Sequence, residues 1–122
     1  MNEMKDEFKG TPGPWFADIR GGCAAIYPAS CVDDTPGCHR DDSRNIAYSN
    51  KGAKFNGMRW EIDSSIEHDF KLMAAAPELL EALRQLRDYV EDVCGVSSDD
   101  CHEDHPLNLA NKAIKKALGK KQ

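Results

Sequence analysis

A proline stands inside the most regular helical pattern of the chain. From Lys71 to Leu86 the sequence reads KLMAAAPELLEALRQL. Leu79, Leu83, Leu86 and then Val90 recur at the spacing of one helix face. Pro77 has no N–H to donate, so an unbroken helix through it is excluded. The segment is either one kinked helix or two helices meeting at Ala76–Pro77. Proline is tolerated at the first helical position, where its N–H would be unpaired anyway. Glu78 suits the positive end of a new helix. This pattern predicts two consecutive helices with the break at Ala76. Ser64 and Glu67 fit a capping box that starts the first helix, with Ile66, Phe70 and Met73 on its apolar face. The second runs to about Cys94, where Gly95 supplies a stop.

The chain before Ser64 reads as short strands and turns. Thr11-Pro12-Gly13-Pro14 is a turn that forbids helix. Trp15–Arg20 follows as a strand, with Trp15, Ala17 and Ile19 on one face and Asp18 and Arg20 on the other. Gly21-Gly22 marks a hairpin, and Cys23–Tyr27 returns from it until Pro28. A polar loop over residues 29–43 leads to a third strand, Arg44–Ser49, and a fourth is expected over Gly57–Ile62. After Gly95 a polar loop leads to a third helix from Pro106, presenting Leu107, Ala110, Ile114, Ala117 and Leu118, and ending at Gly119.

These elements predict an α+β fold, a small antiparallel sheet of about four short strands with two to three helices on one face. The expected core is Trp15, Ile19, Ile46, Trp60, Phe70, Leu79, Leu83, Leu86, Ile114 and Leu118. Residues 1–10 read as a flexible lead-in, 11–119 as one domain and 120–122 as a tail.

Sixteen Lys and Arg against 21 Asp and Glu give a net charge of −5. A broad basic surface for non-specific nucleic-acid binding is therefore not expected. The lysines of residues 112–121 fit the C-terminal end of a helix dipole. No apolar run approaches the roughly 20 residues of a membrane span. The charged N-terminus has no signal-peptide core, so a cytoplasmic location is expected, with the five cysteines reduced or metal-bound.

The sharpest chemical pattern is a repeat. Cys31-x6-Cys38-His39 is echoed by Cys94-x6-Cys101-His102, with His105 beyond. Cys31, Cys38, Cys94 and Cys101 could hold one zinc ion, although the six-residue gaps exceed usual ligand spacing. Otherwise they are scattered thiols in two loops, and no other cofactor is expected. Asp33-Asp34, Asp41-Asp42 and Asp99-Asp100 match no EF-hand spacing and read as solvated loops. Neither Cys–His pair has an accompanying oxyanion-hole glycine motif, and adjacent residues rarely orient for mutual proton transfer, so no enzyme activity is expected. No phosphate-binding glycine loop is present. A nucleotide could still be held by stacking and charge, with Arg20, Tyr27, Arg44, Tyr48 and Arg59 as the candidate ligand-binding residues. The competing reading makes the tryptophans core and the arginines a solvated face. On the helices, Glu67/Lys71, Arg84/Asp88 and Arg87/Glu91 are candidate surface pairs.

The Thr11–Trp15 turn and the Lys71–Leu83 segment, KLMAAAPELLEAL, together resemble a widespread group of small tailed-phage and prophage proteins. Members open with a TPGPW turn, carry an "IA" pair (here Ile46-Ala47), reach an ANARLIAAAPELLEAL-type segment and often end in a short alanine-rich helix. The residue before Thr11, often His in the group, is Gly10 here. The segment before Lys71 reads IEHDF in place of EANAR, and the cysteine loops lie outside the pattern. The resemblance implies a phage accessory protein, of a class that often encodes host-takeover or counter-defence factors. It implies a host protein or defence complex as partner in the bacterial cytoplasm. The alternatives are a nucleotide-signal binder with sites between the subunits of a homo-oligomer, and a zinc-stabilised interaction module.

Overall fold

In the computed structural model, which describes residues 7–34, 40–95 and 105–120, the Thr11–Trp15 turn and Pro77 lie against each other. A Cβ placed on Gly13 would sit 2.6 Å from Pro77 Cβ, so only glycine lets the turn approach this closely. The Trp15 indole Nε1 donates to Thr11 O at 3.0 Å, and Ala29 N donates to Pro14 O at 3.0 Å. The Gly13–Pro14 peptide is cis.

From this turn the chain enters β1 (Trp15–Arg20), then β2 (Cys23–Pro28) and, after a single 3-10 turn and a loop, β3 (Ala47–Ser49). These form an antiparallel sheet in the order β1-β2-β3. The register pairs Phe16 with Tyr27, Asp18 with Ala25, and Ala25 with Tyr48. Two further strands, β4 (Lys54–Phe55) and β5 (Trp60–Glu61), make a separate antiparallel hairpin. Three helices follow, α1 (Ser64–Ala74), α2 (Ala76–Cys94) and α3 (Pro106–Ala117). The fold is α+β with small antiparallel sheets, as the pattern predicts. Residues 11–77 form one unit, and 78–122 with 1–10 form a second.

In the first unit α1 lies across β1 and β2. Alternation along the strands sets the packing. Ala24 and Ile26 are buried against Ile66 and Phe70, with Trp15, Ile19, Ala47 and Ile62 at the margin. The predicted break between helices falls at Ala75, whose N–H is shared between Lys71 O and Leu72 O. Pro77 is then the second residue of α2, in the turn where a missing N–H costs least. In the second unit α2 and α3 are joined by a hydrogen bond from Arg87 to Asn111 Oδ1 at 3.1 Å. Leu107 and Ile114 are its buried residues in α3.

Several expectations are corrected. The single four-stranded sheet is two sheets, because Gly57 and Met58 are spent in a turn and leave two residues to pair. That turn is closed by Asn56, whose side-chain oxygen accepts from Met58 N and Arg59 N, each at 2.9 Å. The third strand starts at Ala47, not Arg44, because Arg44 N and Asn45 N are both held by Asp42. The N-cap of α1 is Asp63, not Ser64: its Oδ1 accepts from Ser65 N at 3.1 Å. Ile46, Trp60, Leu79 and Leu86, expected in the core, are exposed. The fully buried large side chains are Tyr27, Ile26 and Ile114. Residues 1–6, 35–39 and 96–104, with Cys38, His39, Cys101 and His102, lie outside the described residues, as do 121 and 122.

Candidate functional site

The β4–β5 hairpin presents three exposed apolar side chains of the first unit close together, Phe55, Met58 and Trp60. Phe55 and Trp60 stand opposite one another in register, their ring centroids 5.9 Å apart and tilted by 59°. Each is 56% exposed, and Met58 at the tip is 89% exposed. The tip is not loose. Gly57 takes a φ of +98°, open to glycine, and Asn56 braces both following amides and also donates from its N–H to Arg59 O. The base of the hairpin sits on the β1–β2 turn, where a Cβ on Gly22 would come within 3.2 Å of Trp60 Cβ. The backbone that carries the aromatic pair, Met58 and Arg59 is thus braced by hydrogen bonds. Aromatic, Met and Arg side chains are the types enriched in protein interfaces.

Beside the hairpin runs an open cleft of about 490 Å³. It is lined by Ile19, Gly21, Arg59, Trp60, Glu61 and the first turn of α1. The α1 end is anchored electrostatically. The Ser65 backbone N–H, then its hydroxyl, hold the Asp63 carboxyl below the usual carboxylate range. Lys71 Nζ, 2.7 Å from Glu67 Oε2, does the same for Glu67.

The five residues named as ligand candidates separate into three places. Arg20, Tyr27 and Tyr48 share the sheet face opposite α1. There the Tyr27 hydroxyl donates to Asp18 Oδ2 at 2.6 Å, and Arg20 Nε donates to Asp18 Oδ1 at 2.8 Å. Asp18 and Tyr27 are buried, and Phe16 packs on Tyr27 with centroids 5.7 Å apart. A buried carboxylate with two donors is internally satisfied, so Tyr27 is a structural partner of Asp18. The Arg20 side chain as a whole is 61% exposed. Arg44 is elsewhere. Its guanidinium grips Asp42 with Nε and Nη2 at 2.9 and 3.1 Å and Asp34 O with Nη1. The Asp42 hydrogen bond raises its pKa further. Three guanidinium donors committed within one loop make Arg44 a clip. Arg59 lies in the cleft with Trp60.

Of the zinc candidates, Cys31 is half-buried in the 3-10 turn after β2, and Cys94 is exposed at the end of α2. Among the described residues no group of three or more His, Cys, Asp or Glu is placed to hold a metal ion. In the second unit an apolar gap of about 130 Å³ lies between Leu83, Leu86, Val90, Pro106, Leu107 and Ala110. His105 at its rim spends Nδ1 as the N-cap of α3, accepting from Leu107 N. The surface pair Glu67/Lys71 forms, whereas Arg87 bonds Asp88 and Asn111.

Sequence reasoning missed the hairpin because Met58, Trp60 and Ile62 alternate like a buried strand. The signal that could have shown it is Asn56-Gly57, a turn dipeptide directly before them.

The chain is thus a small α+β protein whose Asp18 and Arg44 networks are structural and whose described surface includes a braced hairpin and an open cleft. A family model described as Salmonella phage P22 protein Y8K6 matches residues 4–121, and the chain belongs to that phage family. No curated protein and no solved structure matches it. Among the described residues no helix is long and apolar enough to cross a membrane.

Proposed function

We propose that this protein is a non-enzymatic phage accessory factor that acts by binding a host protein, docking through the β4–β5 hairpin. The observation that carries this reading is the exposure of Phe55, Met58 and Trp60 on a turn that Asn56 holds rigid. Exposed apolar groups that a fold takes trouble to fix in position mark interaction sites. A preorganised anchor also loses little freedom on binding. Phage membership makes a host component the natural partner, and a counter-defence role is the form of such binding the family resemblance implies.

The test is recovery of host proteins on wild-type protein and on Met58→Asp in parallel. Met58 is 89% exposed, so the substitution leaves the fold intact. A partner retained stoichiometrically by wild type and lost by Met58→Asp is the expected result. A partner held equally by both removes the hairpin from the reading, and no stoichiometric partner removes the reading itself.

The cleft supports a second reading, a small nucleotide stacked on Trp60 with its phosphate on Arg59. Thermal-shift measurements against cyclic and ADP-ribose-type nucleotides decide it. A rise in Tm that Arg59→Ala abolishes is expected, and no rise with any of them removes it.

A further inference from the structure

The hairpin site leaves a second apolar surface unexplained. Helix α2 has 19 residues, about 28 Å of helix, and none of them is buried. Leu83 and Val90 turn toward α3 across the apolar gap. Leu79, Tyr89 and Val93 do not line it, and together with Leu86, which borders it, they are 52%, 64%, 62% and 58% exposed. With Ala82, also exposed, they recur at alternating steps of three and four, the spacing by which one helix packs along another. On α3, Leu109, Ala113 and Ala117 form a row four residues apart, each exposed.

The Arg87–Asn111 hydrogen bond marks one flank of the α2–α3 contact. At about 100° per residue, Leu86 lies about 100° round α2 from Arg87, and Ala113 about 160° round α3 from Asn111. Both open rows are thus rotated away from that bond on their own helices, an arrangement that suits one apolar face across the two helices. Its edges are charged with opposite sign. Beyond Tyr89 on α2 stand Glu78 and Asp92, both exposed, with Gln85 between them. Beyond Leu109 on α3 stand Lys116, exposed, and Lys112 one turn away.

We infer that this face docks a second copy of the same chain, giving a two-fold dimer through a four-helix layer. A two-fold axis along the helices lays α2 of each copy over α3 of the other. Each acidic edge then meets a basic edge, twice, as an isologous interface requires. The helical spacing asks for a helix as occupant, and the paired edges make the chain complementary to itself. A single pair of helices this short is marginal, whereas four helices bury both rows. The inference is independent of the hairpin reading.

Solution mass by light scattering tests it. The expected result is twice the 13.6 kDa of the chain, reduced to the chain mass by Leu79→Glu combined with Val93→Glu. Far-UV circular dichroism and Tm of that variant confirm that it is folded. A charge swap supplies the second arm. Glu78→Lys/Asp92→Lys and Lys112→Glu/Lys116→Glu are each expected to be monomeric alone and to form a heterodimer on mixing. A monomeric wild type overturns the inference, as does a dimer that Leu79→Glu/Val93→Glu leaves intact. An α2 face protected from solvent exchange only in a complex with another protein also overturns it.

Discussion

At the scale of single residues, Gly13 shows most plainly how one atom sets the architecture. The two stretches that mark the phage group, Thr11–Trp15 and Lys71–Leu83, are more than 50 positions apart in the chain. They touch where Gly13 meets Pro77. A methyl group there would sit 2.6 Å from the proline ring carbon, and overpacking of this kind costs about 1–3 kcal/mol. Gly13→Ala is therefore expected to lower stability to urea by about that amount, whereas a stability equal to wild type would mean the contact is slack. Asp18 illustrates the opposite lesson. From its place beside Arg20 it reads as a solvated carboxylate. It is buried because Tyr27, nine residues later across the hairpin, supplies a hydroxyl to it. A partner fixed by strand register is not visible in local sequence.

At the scale of elements, the strand ends and the α1 N-terminus decide which expectations hold. Trp15–Arg20 and Cys23–Tyr27 were legible because Gly21-Gly22 and the alternation of Trp15–Arg20 act locally, and the second strand runs one residue further, to Pro28. Arg44 and Asn45 were lost from β3 because Asp42 competes for their amides. The capping box failed by one residue. Asp63 is the better acceptor, and its carboxylate takes the Ser65 N–H. Both Asp63 and Glu67 have pKa values lowered in the folded chain. A lowered carboxyl pKa contributes stability above its unfolded value and loses it as pH falls through the folded one. The α1 N-terminus is thus expected to lose this support below about pH 4. Asp63→Ala should lower Tm at neutral pH and flatten the acid limb of a Tm-against-pH curve. A variant whose acid limb matches wild type would show that Asp63 does not cap α1. The core estimate failed at Trp60, Leu79 and Leu86 for one reason. Helical or alternating apolar spacing shows that a face exists, but not that the same chain covers it.

At the scale of the whole molecule, scaffold and candidate sites separate. Motif residues hold the β-sheet, α1 and the opening turn together, and the polar groups Asp18, Tyr27, Asp42 and Arg44 are spent within the fold. The fold class and the phage relationship were readable from periodicity and two motifs. The candidate site was not, since its evidence is exposure, which requires coordinates. Among the exposed groups of the first unit, the hairpin of Phe55, Met58 and Trp60 carries the proposed host contact. The most direct measurement of that contact is site-specific photo-crosslinking in host cells. A photoreactive residue replaces Met58 in one version of the protein and Asn108 on α3 in another. One host protein trapped from position 58 and not from position 108 is the expected result. The same proteins trapped from both positions, or none from position 58, would contradict the hairpin as the site of action.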